Sequence, residues 1–174
     1  DMAFLVIGSG VGGAVVKDKR IHHGRHLHGG EFGFMVVGAD HHILSETGST
    51  RAVAEAVADA KGVPHDEMDG EKAFALAVGG DMDAQNAVDA MQEALARAAY
   101  NIQYSIDPEV IVLGGAVSER PGFAEAIQQK IDQLLKDVEI AHVRPVVAAA
   151  QHGNDANLLG AVRNLLDKLE AKKK

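Results

Sequence analysis

Gly8-Ser9-Gly10-Val11-Gly12-Gly13 is the first stretch of this chain able to do chemistry. Glycines at a bend let backbone N–H groups approach an anion closely, and a hydroxyl between two of them adds a donor for a phosphate oxygen. A strand rather than a helix follows, so this is no dinucleotide fingerprint, and the Gly-Lys-Ser/Thr of a Walker A loop is absent. A glycine-rich hairpin without a ligand fits the same residues. Gly29-Gly30-Glu31-Phe32-Gly33 holds a carboxylate in a glycine-rich loop. There Glu31 could accept hydrogen bonds from paired sugar hydroxyls, or stand as a plain surface acid. Glu46, within Leu44-Ser45-Glu46-Thr47-Gly48-Ser49, opens a helix, where the dipole favours an acid with or without a ligand. Gly114 and Gly115 directly follow an apolar run. Beyond the carboxyl end of a strand they would let a nucleoside lie against the backbone, or simply make a tight turn. His22, His23, His26, His28, His41 and His42 are crowded together. Imidazole ligates zinc, but the spacing fits no metal motif and no cysteine is present, so solvated loop histidines are expected.

These residues need elements to hold them. The apolar runs 2–7 and 11–16 predict two strands joined at Gly8–Gly10, with a polar turn at 17–20 and a third short strand at 21–23. A short strand is expected at 34–37. Ala52, Val53, Ala56, Val57 and Ala60 share a helical face, predicting a helix over 46–60 that Gly62-Val63-Pro64 ends. A short helix follows from Asp69 to Val78. Asp81 is the expected N-cap of a long helix reaching about Tyr104, whose stripe of small apolar residues calls for a close packing partner. Such a stripe suits an intrachain partner or a homodimer. The run 110–113 reads as a central strand, 123–138 as an amphipathic helix, and 143–148 as a strand that Pro145 confines to an edge or a late start. Leu158, Leu159, Val162, Leu165 and Leu166 mark a last helix over 155–169. The order gives an α/β lobe, one unit spanning 1–174.

Composition narrows the classes. The chain has 174 residues, no cysteine and a net charge of −8. Its length allows burial of roughly 70% of the unfolded surface, without disulfide staples. The acidic balance argues against nucleic-acid binding through this lobe. The basic run 172–174 reads as a solvated end. No apolar stretch approaches the roughly 18 residues of a membrane span, and no signal peptide is evident, so cytoplasm is the expected location. The chain enters an apolar strand at once, as expected of a segment from within a longer protein.

Taken in order, Gly-Ser-Gly-Val-Gly-Gly, Gly-Gly-Glu-Phe-Gly, Ser-Glu-Thr-Gly-Ser, Asp-Pro-Glu-Val-Ile-Val-Leu-Gly-Gly and the closing Gly153-Asn154-Asp155-Ala156-Asn157-Leu158-Leu159-Gly160-Ala161 resemble the C-terminal lobe of the ROK family (repressors, open reading frames and kinases). The resemblance covers nearly the whole chain. It implies an actin-like ATPase fold of the hexokinase type, with ribonuclease H-like lobes built on a mixed sheet with flanking helices. The kinases of that family move the γ-phosphoryl of ATP, with Mg2+, to a sugar hydroxyl. Carried over residue by residue, Gly8, Ser9 and Gly10 would face the ATP phosphates, with Ser9 keeping the hydroxyl of the family's threonine. Glu31 and Glu46 would hold sugar hydroxyls, and Gly114 and Gly115 would lie on the adenosine side.

Three departures shape the expectation. Phe34 stands where the family usually has a histidine that contacts the sugar and often zinc. The family's Cys-X-Cys-Gly-X-X-Gly-Cys stretch is replaced by a shorter segment, so no structural zinc is expected. The family's Asp-X-Gly-Gly-Thr-Lys phosphate motif and its Glu-Asn-Asp-Ala segment, whose Asp acts as general base, are absent. Phosphoryl transfer needs in-line positioning, charge neutralisation and a base for the attacking hydroxyl. The resemblance therefore implies no catalytic residue in this chain, the base lying in another lobe. Asn154-Asp155 resembles the missing Asn-Asp locally but is expected to cap the last helix. The resemblance thus implies one lobe of an ATP-dependent sugar kinase, inactive alone, binding a small-molecule sugar and ATP. The alternative is the effector-binding lobe of a sugar-responsive ROK repressor, which would carry a helix-turn-helix ahead of its first lobe.

Overall fold

Along β1 (Met2–Ile7), Ala3, Leu5 and Ile7 are buried while Met2 and Val6 stay 38% and 40% exposed. That alternation is what a strand with one covered face produces. The computed structural model describes residues 1–38 and 40–172. In it β1 pairs antiparallel with β2 (Val11–Lys17), which pairs with the two-residue β3 (Arg20–Ile21). On its other side β1 pairs parallel with β4 (Val110–Gly114), and β4 pairs parallel with β5 (Val147–Ala149). The result is a five-stranded mixed sheet of order β3-β2-β1-β4-β5.

Among the described residues six α-helices accompany the sheet: α1 (Leu44–Thr47), α2 (Thr50–Lys61), α3 (Gly70–Val78), α4 (Met82–Ile106), α5 (Phe123–Asp137) and α6 (Ala156–Ala171). Helix α4 is the hub, packed against α1, α2, α3 and α5. Met91, Leu95 and Ile102 join Leu5, Ile7, Ile111 and Leu113 in one buried cluster. Fully burying each such side chain contributes about 1.5–3 kcal/mol. Asp81 caps α4 through its carboxylate on the Ala84 N–H at 3.0 Å. The helix stops at Asp107, whose φ of 47° is left-handed, and the buried Gln103 amide donates to the Asp107 carboxylate at 2.8 Å.

The structure corrects several sequence expectations. The helix expected over 46–60 is two helices, broken at Gly48-Ser49. Ser49 is extended there, and its hydroxyl accepts the Ala52 N–H at 3.1 Å, starting α2 afresh. Residues 34–37 form no strand: a 3-10 turn occupies Phe32–Phe34, and pairing is limited to one bridge between Val36 and Ile43. The third strand is Arg20–Ile21 rather than 21–23. The strand expected over 143–148 starts only at Val147 and lies at the sheet edge, as Pro145 requires. Gln128 of α5 sets that start, donating to the Pro145 carbonyl at 3.0 Å and accepting the Val147 N–H at 3.1 Å. Strand β4 is central in order, yet Val110 and Val112 are only half-buried, so its apolar run does not reflect cover on both faces. Asp155 stands at the N-cap of α6 but makes no capping side-chain bond. Of the basic run at the end, Lys173 and Lys174 lie outside the described residues.

Candidate functional site

The four motif segments converge at one end of the sheet. Because β1 and β4 run parallel with Val6 opposite Gly114, the Gly8-Ser9-Gly10 hairpin and the Gly114-Gly115 turn leave the sheet side by side. This is the carboxyl end of the parallel strands, where open α/β sheets bind ligands. Gly115 has φ 89°, and a Cβ there would strike the Ile7 carbonyl, so only glycine lets the two turns touch. Ser118 fixes that turn, its hydroxyl donating to the Gly115 carbonyl at 2.7 Å. A cleft lined by Ser118, Arg120, Gly122 and β5 opens beside it.

The hairpin is clamped from the helix side. Thr50, the first residue of α2, donates both its N–H and its hydroxyl to the Gly8 carbonyl, each at 2.9 Å. Ser45 of α1 accepts the Val11 N–H at 3.0 Å and donates to the Val11 carbonyl at 3.2 Å. Gly8 and Gly10 are not among the glycines with positive φ. A Cβ on Gly8 would meet nothing within 4 Å, and one on Gly10 would make ordinary contact with Ser45. Neither packing nor backbone conformation calls for glycine at these two positions. The Gly8 N–H donates to the Gly10 carbonyl at 2.9 Å, and what the two glycines add is a bend without side chains, whose backbone a ligand can approach closely.

The Glu31 loop is pressed onto β2. Gly30 has φ 94°, and a Cβ there would lie 2.6 Å from the Ala14 backbone. A Cβ on Gly33 would lie 2.5 Å from the Ser45 hydroxyl, so the loop bearing Glu31 abuts the helix bearing Glu46. The chain is tied there again by the Leu44 N–H donating to the Met35 carbonyl at 2.8 Å. Glu31 itself is exposed, at the head of the 3-10 turn. Phe34 is 68% exposed.

Glu46 is held more firmly. Its Oε2 accepts the Ile43 N–H at 3.1 Å and lies 3.2 Å from His42 Nδ1. These two contacts, the backbone one larger, hold its carboxyl below the usual range, with a smaller contribution from Arg51. Ionised, Glu46 is a pure acceptor, which suits binding of hydroxyl donors. His42 in turn lies 3.6 Å from Asp40 Oδ2 through Nε2. The other loop histidines, His22, His23, His26, His28 and His41, are exposed, and among the described residues no three His, Asp or Glu side chains gather as a metal site.

Sequence reasoning missed Ser45, Thr50, Ser118 and the role of His42. The signal for the first two was present as hydroxyls flanking Glu46, but their partners lie 34 and 42 residues away. The assembled end thus packs the segments that carry Glu31 and Glu46 against the hairpin through Gly33 and Ser45, and sets the Gly114-Gly115 turn next to it.

Comparison with known proteins gives this arrangement its setting. The ROK family model matches residues 1–168. A beta-glucoside kinase from Klebsiella pneumoniae is 32% identical over 164 residues, which are 91% of this chain and 53% of that protein. The solved structure of a ROK family protein from Streptococcus pneumoniae TIGR4, in complex with sucrose, is 35% identical with a TM-score of 0.87, covering 98% of this chain and 59% of that one. A ROK family transcriptional regulator, a homologue of the E. coli MLC protein, shares the fold at 20% identity and a TM-score of 0.62, over 85% of this chain and 40% of its own. The chain therefore spans about half the length of the curated relatives it matches. Its mixed sheet and helices are those of the actin-like ATPase fold of its structural neighbours. With the match running from residue 1 to residue 168, the chain belongs to the ROK family.

Proposed function

We propose that the intact protein transfers the γ-phosphoryl of ATP to a hydroxyl of a hexose or hexose derivative, and that residues 1–174 are its C-terminal lobe. Glu31 and Glu46 accept hydrogen bonds from sugar hydroxyls. Gly8, Ser9 and Gly10 line the phosphates: the Gly8 N–H closes the bend on the Gly10 carbonyl at 2.9 Å, and the N–H groups of Ser9 and Gly10 with the Ser9 hydroxyl face the anion. Gly114 and Gly115 bear the nucleoside. When bound, Mg2+ and ATP supply the phosphoryl group and neutralise its charge. The donor set fits that role, since the hairpin offers the N–H groups of Ser9 and Gly10 and the Ser9 hydroxyl, and no carboxylate of its own. The general base is supplied from outside this chain, so the lobe alone is inactive.

One observation carries this reading: two glycines that the fold does not need stand at the hairpin, clamped by Thr50 and Ser45 beside two acid-bearing segments. The sugar-kinase relative supports the same chemistry. The two-lobed reading is supported by α6, whose apolar side is uncovered in this half-length chain. Among the described residues no helix is long and apolar enough to cross a membrane. A cytoplasmic enzyme, without nucleic-acid contact through this lobe and with dimerisation open, completes the proposal.

The test is sugar-dependent ADP release by the intact protein, with Mg-ATP and a panel of hexoses, amino sugars and β-glucosides. Turnover with at least one sugar is expected, and Glu31→Ala and Glu46→Ala should each raise its KM. Absence of turnover with every sugar would sink the kinase reading and favour a repressor whose effector site uses the same two acids. A helix-turn-helix upstream of residue 1 would point the same way.

A further inference from the structure

Glu46 is tied down through a single oxygen. Oε2 receives the Ile43 N–H at 3.1 Å and faces His42 Nδ1 at 3.2 Å, while among the described residues nothing bonds Oε1. His42 and Glu46 are four residues apart. His42 lies on the segment leading into α1, and Glu46 lies within α1, so the imidazole closes against the first turn. Both side chains are exposed, and no packing holds the carboxylate in one rotamer. The Ile43 N–H fixes one point of the carboxylate, and a second donor on the same oxygen fixes the rotation about it.

We propose that His42 is a positioning residue, its Nδ1–H locking Glu46 so that Oε1 is held free for a sugar hydroxyl. This rests on the reading of Glu46 as a sugar-hydroxyl acceptor. It differs from a metal role for the histidines: His42 acts as a hydrogen-bond donor to an acid, and needs only the proton on Nδ1, which both the Nδ1–H tautomer and the cationic ring carry. The charged groups around Glu46 are few. Arg51 bears on it from α2, and Asp40 stands 3.6 Å beyond the ring on Nε2. Asp40 thus meets the ring from the other side, too far for a direct hydrogen bond.

The experiment uses the intact protein and the sugar panel above, with Glu46→Ala, His42→Ala and His42→Asn. The asparagine amide can place an N–H where Nδ1 stood. In His42→Ala the KM for an accepted sugar should rise about threefold to tenfold, as for loss of one solvent-exposed hydrogen bond to a charged group, with kcat and the KM for ATP within about twofold of wild type. His42→Asn should restore the sugar KM to within about twofold. The acid limb of kcat/KM for the sugar should move to higher pH in His42→Ala, because Glu46 then keeps only the Ile43 N–H and the weaker pull of Arg51 to hold its carboxyl down, and should return in His42→Asn. An unchanged sugar KM and acid limb in His42→Ala, with the KM raised in Glu46→Ala, overturns the positioning role and leaves the acceptor reading intact. An unchanged KM in Glu46→Ala, or no turnover with any sugar, overturns the acceptor reading and this inference with it.

Discussion

Helix α4 lays Met91, Leu95, Ala98, Ala99 and Ile102 against its neighbours with almost no exposure, whereas the matching stripe of α6, from Leu158 to Leu166, stays 48–68% exposed. Both stripes follow the same period and both forecast a helix with a face to bury. The difference lies in what surrounds them. Helix α4 carries alanines that let α2, α3 and α5 approach closely, and its cover comes from within the chain. Helix α6 carries mainly large leucines and meets little beyond the 3-10 turn that leads into it. Periodicity reveals that a face exists; it is silent on which part of the protein covers it. In a chain that spans about half of its relatives, that silence matters.

The sharpest way to break this contrast is to truncate a leucine in each helix. Leu95 is fully buried, so Leu95→Ala should cost about 2–5 kcal/mol in urea unfolding of the chain. A loss under about 1 kcal/mol would mean that α4 is not the hub of the fold. Next comes the site end of the body. Gly115→Ala forces a side chain into a left-handed residue against the Ile7 carbonyl, and should cost about 1–3 kcal/mol from strain alone. Gly8→Ala meets open space and should leave the unfolding midpoint unchanged while weakening ATP binding in the intact protein. If Gly8→Ala destabilised the fold as much as Gly115→Ala, the distinction between glycines kept for packing and glycines kept for a ligand would fail.

How much of this was legible is clear from particular residues. Asp81 announced the start of α4, Gly62 the end of α2, and Pro145 the late, marginal β5, because capping and proline act within a few residues of themselves. The convergence of Gly8–Gly10 with Gly114-Gly115 was not legible from spacing, since it depends on β1 and β4 pairing across more than a hundred residues. The resemblance to a family put them on one ligand; the register puts them side by side. Ser45 and Thr50 escaped notice for the same reason: their hydroxyls bond backbone on the far side of a hairpin. The break at Gly48-Ser49 was hidden because the apolar period of 52–60 runs smoothly back toward Glu46, while the buried Ser49 hydroxyl prefers to cap a new helix.

That buried hydroxyl gives an effect of middle size. Ser49→Ala should cost about 1 kcal/mol, read from urea unfolding, by leaving the Ala52 N–H unpaired at the start of α2. Acid provides a gentler probe of the body. Arg144 grips Asp132 with two bonds of 2.7 and 2.9 Å and holds its carboxyl below the ordinary 3.8. A depressed native value means that the stability contributed is complete above 3.8 and is lost as pH falls through the lower native value. Asp132→Asn should therefore lower stability at neutral pH and flatten its dependence on acid below 3.8, seen as a smaller drift of the urea midpoint. An unchanged acid slope would show that the pair ties nothing to the fold.

The smallest effect is expected where the sequence pattern looks strongest. Leu165 is one of the most regular positions of the α6 stripe, yet more than half of it is already in solvent. Leu165→Ala should change the stability of this 174-residue chain by less than about 0.5 kcal/mol, since a side chain more than half in solvent leaves little cavity behind. In the two-lobed protein proposed above, the same substitution should cost about 2–5 kcal/mol, the value of a covered leucine. Equal, small effects in both would mean that the proposed second lobe leaves α6 bare, and the contrast with α4 would then be a property of the protein. Equal, large effects would mean that α6 finds cover within this chain. Only the divergence between the two measurements ties the exposed stripe to the second lobe proposed above.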